Sequence, residues 1–333
     1  MFQAIPSIGR RRALQGSAAA FVAFGLLLWW LLPLDESSPG GKVVFSTGTP
    51  SGVYQLYGEL LQEALAKDMP RLDVDLEQSD GSQENVQKVA TGKADFTIAA
   101  SDAVEKYRDQ GGRGADQLRG CVRLYDDYVH VVVPRKSPVH SIAQLKGKRV
   151  GVGQEASGVR LIADHVLAAA GLDPRKDIQP VSKGIQEVPK LLESGKIDAF
   201  FWSGGLPTSA VSELSDRFDI KLVPIGADLV QELHKPDGGS SYYRAALMPA
   251  NTYNDGAEND AGVPTLAVAN LLVTRAGTDA TLAEGITRTV IDSRDRIGEE
   301  VHAAQRVDLR TAIYTDPLQL HEGARRYYRS VKP

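Results

Sequence analysis

Apolar positions in this 333-residue chain follow two regimes. The first is one block, Ala13 to Leu34, that contains no charge. Arg10, Arg11 and Arg12 precede it; Asp35 and Glu36 follow. A helix of that length rises on the order of 30 Å, enough to span the hydrocarbon core of a bilayer. The arginines predict a cytoplasmic start and an exported remainder, with Trp29 and Trp30 near the exit interface. The block reads as a cleaved export signal or an uncleaved anchor. It is longer than a usual signal core, and Ser38-Pro39-Gly40 is a poor cleavage site, so the anchor is favoured.

The second regime begins after the polar, turn-rich linker 35–41 and alternates between strand and helix periods. Strands are predicted at Lys42–Thr47, Leu72–Leu76, Ala94–Ala100, Val129–Pro134, Arg149–Val152, Ile178–Val181, Ile197–Trp202, Lys221–Pro224 and Thr265–Thr274. Helices are predicted at Tyr54–Ala66, Glu84–Ala90, Val159–Ala170, Ile185–Glu193, Pro207–Leu214 and Leu282–Val301. This order predicts an α/β fold with right-handed crossovers and mostly parallel sheets. The β-branched run from Val129 reads as a central strand buried on both faces.

One theme occurs twice. A helix, then Gly92-Lys93-Ala94-Asp95, then a strand ending before Ser101-Asp102, parallels a helix, then Gly195-Lys196-Ile197-Asp198, then a strand ending before Ser203-Gly204. In each, glycine ends the helix in the left-handed conformation. About 290 residues after the linker suit two lobes. The expected division is 1–41 as signal or anchor plus linker, 42–130 with 225–333 as one lobe, and 131–224 as the other.

Composition narrows the function. Net charge is -4, from 38 Lys and Arg against 42 Asp and Glu, with the signs interspersed. A nucleic-acid binder would present a basic face instead. Cys121 is the only cysteine, which excludes an intrachain disulfide and a cysteine metal cluster, and it reads as a bystander. The six histidines show no paired metal spacing, and neither a Gly-x-Ser-x-Gly elbow nor a phosphate-binding Gly-Lys-Ser/Thr loop is present. The acidic run with Asp255, Glu258, Asn259 and Asp260 fits no calcium-loop spacing and reads as a solvated loop. No cofactor or metal is expected.

Four short loops carry the candidate chemistry: 48–54, 79–85, 154–160 and 202–208. Each is rich in glycine and hydroxyls and precedes a helix, and at least three follow a strand. Such loops aim backbone N–H groups at an anion. The candidates are Ser51, Gly52 and Tyr54; Ser82 and Asn85; Ser157, Gly158, Val159 and Arg160; and Trp202, Ser203, Pro207 and Thr208, with Ser101, Asp102 and Tyr253 beside them. Tyr54 would hold a carboxylate with its phenol, or be a core residue of its helix. Ser82 and Asn85 would contact ligand, or cap their own helix. Arg160 would grip a carboxylate in two-pronged fashion, or face solvent; Arg244 is a second such candidate. Trp202 and Tyr253 would wall a cleft, or pack a hinge. Pro207 suits a first helical position.

In order and spacing, Gly48-Thr49 with Gly52-Val53-Tyr54, Gly81-Ser82 with Asn85, Gly92-Lys93-Ala94-Asp95, Ser101-Asp102, Leu145-Lys146-Gly147-Lys148-Arg149-Val150, Ser157-Gly158-Val159, Asp198-Ala199-Phe200-Phe201-Trp202 and Gly205-Leu206-Pro207-Thr208 resemble the TAXI family. Tyr253, Val263-Pro264-Thr265 and Leu271-Leu272-Val273-Thr274 continue the likeness, which covers roughly residues 42–310. These are the solute receptors of one branch of tripartite ATP-independent periplasmic (TRAP) transporters. The resemblance implies a type II periplasmic-binding-protein fold: two α/β lobes, two hinge crossings and a cleft between them. It implies capture of a small anionic solute, an amino acid or a dicarboxylate such as glutamate or 2-oxoglutarate, and delivery to membrane permease subunits. The chain departs from the family at Val159, where threonine is common, and at Ala100, where glutamine is common; both changes bear on the ligand. A membrane-anchored sensor of the same fold is the alternative function. An enzyme reusing the fold is disfavoured by the missing nucleophile–base motifs.

Overall fold

The computed structural model describes residues 39–50, 52–235, 239–253 and 262–331. The expected anchor, Ser51 and the acidic run around Asp255 lie outside the described residues. Among the described residues no helix is long and apolar enough to cross a membrane.

Ten strands form one sheet: β1 (Gly41–Ser46), β2 (Leu72–Glu77), β3 (Phe96–Ala100), β4 (Leu118–Pro134), β5 (Arg149–Gly151), β6 (Gln179–Val181), β7 (Ala199–Gly204), β8 (Ile220–Leu222), β9 (Arg244–Met248) and β10 (Val263–Arg275). The helices used below are α1 (Val53–Asp68), α2 (Ser82–Ala90), α3 (Ser101–Asp109), α4 (Gly158–Ala169), α5 (Val188–Glu193), α6 (Ser209–Arg217), α7 (Ala227–Leu233), α8 (Ala280–Asp292) and α9 (Arg294–Glu300).

The main path runs β2-β1-β3-β10-β4-β7-β5-β6. Each end is a parallel triplet, β2-β1-β3 and β6-β5-β7, and each triplet meets a long antiparallel strand, β10 or β4. The sheet is therefore mixed rather than mostly parallel. β4 has 17 residues, far longer than the run seen at Val129, because its first half alternates apolar with Arg119, Arg123 and Asp126. It pairs with β10 over Leu118–Tyr128 and with β7 over Tyr128–Val132. The β10 register slips between Ala269 and Leu271, so a bulge falls where the two halves meet.

The repeated theme is one structural device. Gly92 has φ +78° and Gly195 has φ +66°, both left-handed. Asp95 N–H donates to Val44 O while its carboxylate accepts from Val44 N; Asp198 does the same to both backbone groups of Arg149. A single Asp thus pins the incoming strand of each triplet in register. Arg149 adds two guanidinium contacts to Asp198, at 3.0 and 2.7 Å.

Apolar clusters cover both faces of each half. Phe45, Tyr57, Phe96, Ile98, Val122, Ile286 and Cys121 share one, where burial pushes the Cys121 thiol up to about 12. Val131, Val150, Ala163 and Val166 form another, together with Ile225, Val230, Leu233, Tyr243, Leu266 and Val268. The long helix expected at 282–301 is broken into α8 and α9. At the break Ser293 Oγ donates to Thr289 O at 2.6 Å, a side chain competing with the backbone for a helical carbonyl.

Candidate functional site

The parallel strands β1, β3, β5 and β7 all end at one place, and open α/β sheets bind ligands at that edge. A cavity of about 720 Å³, its mouth included, lies there. Three helix N-termini converge on it: Gly52, Val53 and Tyr54 of α1; Gly81 and Ser82 of α2; Ser157, Gly158 and Val159 of α4. The first N–H groups of a helix have no partner within it, so the wall is rich in donors. Val53, Val159, Ile162, Ile185, Val188, Phe201 and Trp202 supply the apolar lining.

The two halves touch beside this cavity. Gln154 donates its side-chain amide to Asp80 at 2.9 Å, and Gln83 donates to Ser157 O at 2.7 Å. Glu84 N–H donates to Ala156 O at 3.2 Å. Glycines permit the approach: a Cβ on Gly158 would stand 3.0 Å from Ser82 Oγ, and one on Gly81 3.5 Å from Ser157 Cα. Leu161 of α4 packs with Val86 and Val104 of the other half.

Of the sequence candidates, Gly52, Tyr54, Ser82, Ser157, Gly158, Val159, Trp202 and Ser203 line the cavity. Tyr54 Oη bridges Ser82 Oγ and Asn270 Oδ1. Ser157 Oγ caps α4 by accepting from Arg160 N at 3.0 Å. The other candidates among the described residues do not line it. Asn85 is a fully buried hub: its Oδ1 accepts from Ser46 and Ser79, and its Nδ2 donates to Thr47 O and Ile98 O. The Arg160 guanidinium neither faces solvent nor enters the cavity; it pairs with Asp164 at 3.0 Å and Glu155 at 2.7 Å. Arg244 pairs with Asp126. Ser101 and Asp102 are buried in the first turn of α3, where Tyr243 Oη donates to Asp102 at 2.8 Å and desolvation lifts the carboxyl to about 6.

Pro207, Thr208 and Tyr253 build a strut instead. Thr208 N–H donates to Tyr253 Oη at 2.9 Å, which meets His130 Nε2 at 2.7 Å. Burial holds the His130 imidazole down at about 4. Pro207 does not open a helix: α6 starts at Ser209 with Thr208 as its N-cap residue, and the Leu206–Pro207 bond is cis. Trp202, Pro207 and Thr208 line a neighbouring groove with Leu56 and His302.

Sequence reading missed Asp127. It lies in β4 opposite Val268 of β10, one residue before Tyr128 pairs with Gly204 of β7, so it stands where the strand changes partner. It is 5% exposed and lines the cavity. Desolvation pushes its carboxyl up to about 7; Asp126 and Asp102 add to this, while Asn270 and Ser203 oppose it. The available signal was the pair Asp126-Asp127 just before the β-branched run, since strand alternation sends one of two adjacent carboxylates inward. Thr49 and Gln154, within two of the candidate loops but not singled out, also line the cavity, and Gly153 and the segment Lys183–Ile185 were missed. They lie just past strands β1, β5 and β6, where loop length gives no direction.

The chain matches the NMT1-like family over residues 45–331 and belongs to that family. Its fold is an α/β fold of the periplasmic-binding-protein-like kind, with helices packed on one continuous mixed sheet. It is similar to a putative L-cystine ABC transporter from Listeria monocytogenes, with TM-score 0.51 and 13% identity over 80% of this chain and 98% of that one. It is similar also to XAC2383 from Xanthomonas citri bound to chloride ion, with TM-score 0.50 and 14% identity over 87% of this chain and 95% of that one. At such identities the likeness concerns the fold.

Proposed function

We propose that this chain is an extracytoplasmic solute receptor that captures a small carboxylate-bearing solute between its lobes, without transforming it. The observation that carries this reading is one cavity lined by helix N-termini from both halves, α1 and α2 on one side and α4 on the other. The TAXI-like motif order supports the finer proposal that the receptor delivers its ligand to TRAP-type permease subunits, held at the membrane by the apolar block 13–34. In this reading the lobes meet within β4 near Asp127 and within β10 at the bulge by Asn270, which is supported by the shared core of Ile225, Val230 and Tyr243 with Val131 and Val150. Hinge rotation there would open the cleft and break the Gln154–Asp80 and Gln83–Ser157 contacts.

The test is a thermal-shift screen of the purified full chain against amino acids and mono- and dicarboxylates. A ligand present at about 100 times its Kd is expected to add about 2.7 kcal/mol of stability, a rise of several degrees. Failure of the whole panel to move the melting temperature sinks the receptor reading. Closure has its own check. Gly158→Val places a branched side chain against Ser82 and is expected to weaken ligand binding by about tenfold or more, roughly 1.4 kcal/mol, with little change in apo melting temperature. Unchanged affinity would show that closure does not need this contact.

A further inference from the structure

The acids around Asp127 already have partners. Asp126 accepts from Arg123 at 2.6 Å and pairs with Arg244, and Asp102 accepts from Tyr243 and from Ala103 N. Asp80 accepts from Gln154. Among the described residues, no Lys, Arg or His forms an ion pair with Asp127. On the adjacent strand β7, Ser203 also lines the cavity, is 9% exposed, and its Oγ has no partner other than the Asp127 carboxylate, which Asn270 also steadies. A buried carboxylate and a buried hydroxyl thus face the same space with no cation beside them.

An uncompensated buried carboxylate is costly, and a cation brought to it removes most of that cost. Among the described residues the cavity's only lysine, Lys183, pairs with Glu187 at 3.0 Å, and Arg160 is turned away into its own ion pairs. The side chains of the lining therefore lean acidic, while positive character comes from helix N-termini. A ligand with charges of both signs matches this arrangement better than a dicarboxylate does.

We infer that Asp127 and Ser203 receive a protonated amino group of the ligand, while its carboxylate faces the helix N-termini, so that the solute is an amino-acid-like zwitterion. The inference rests on the receptor reading above and narrows it. An ammonium brings three donors; the Asp127 carboxylate and the Ser203 hydroxyl offer acceptors from neighbouring strands. Asp127 is then a specificity-determining residue. A 2-hydroxy or 2-oxo acid of the same carbon skeleton leaves the carboxylate unpaired, and is rejected for that reason.

The experiment is calorimetric titration of the full chain with amino acids and with the matching 2-hydroxy and 2-oxo acids, at about pH 8 where a free carboxylate of this kind is ionised. An amino acid is expected to bind about 100-fold tighter than its nitrogen-free partners. Asp127→Asn is expected to reduce that preference to within a few-fold, with its folding checked by an unchanged circular-dichroism spectrum and a cooperative melt. Ser203→Ala, a milder change, is expected to narrow the preference in the same direction. Nitrogen-free acids or dicarboxylates binding as tightly as amino acids would overturn the inference and leave the receptor reading standing. So would a preference that survives Asp127→Asn. Absence of binding by every compound would overturn both.

Discussion

Replacing Asp127 with asparagine is expected to stabilise the unliganded protein, and more strongly as pH rises. Desolvation lifts the Asp127 carboxyl from 3.8 to about 7 in the folded chain. A carboxyl whose folded pKa is raised binds its proton more tightly when folded. Its contribution to stability is therefore greatest below the unfolded pKa and is lost as pH climbs from about 4 to about 7. Between about pH 4 and pH 8 the advantage of the variant over the natural chain is expected to grow by roughly 3–4 kcal/mol.

The comparison must be variant against natural chain, because other groups titrate in the same window. Asp102, raised to about 6, acts in the same direction as Asp127. His130 and His165, both lowered to about 4 by burial, act in the opposite one, since their contribution is lost as pH falls below about 6.5. Tyr54 and Tyr125 also feel the Asp127 charge, but both are raised well above their usual value and stay protonated across this range. The contributions of Asp102, His130 and His165 largely cancel in the difference. Urea unfolding of both proteins across this range measures it. An offset that does not change with pH would mean that Asp127 is not a desolvated carboxylate.

The second large effect is expected at Asn85. Its amide uses every donor and acceptor it has on four buried partners, at 2.6 Å to Ser46, 2.7 Å to Ser79, 2.7 Å to Thr47 O and 2.9 Å to Ile98 O. These ties join the loops after β1 and β2 to α2 and β3, and so hold two of the converging helix starts. Asn85→Ala leaves those groups unpaired in a dry interior. The expected loss is about 4 kcal/mol, or roughly 10 °C of melting temperature. A loss below about 1 kcal/mol would show that water or rotated hydroxyls replace the amide readily. The residue reads in sequence as a ligand contact; its position in space makes it the post on which the contact loops stand.

Local chemistry explains what was legible beforehand. The alternation of strands and helices follows from apolar period. The helix ends at Gly92, Gly171 and Gly195 follow from the left-handed turns that glycine permits, with φ between +66° and +78°. The loops at the carboxyl ends of the strands are also local features, so their convergence at Gly52, Gly81 and Gly158 was expected. The break at Ser293 was not, because helical period runs straight through it.

Side-chain direction was not legible. Arg160 has the right type and position for a counterion, but Glu155 and Asp164 lie within its reach and hold it outside the cavity. Asp127 has the wrong sign for an anion site read from helix starts, yet β4 places it in the cavity where the sheet passes from β10 to β7. By itself the sequence determined the class of fold and the edge where its loops gather, because both depend on neighbours along the chain. The tertiary structure alone decided which charges face the ligand, because burial and pairing depend on groups tens to hundreds of residues apart.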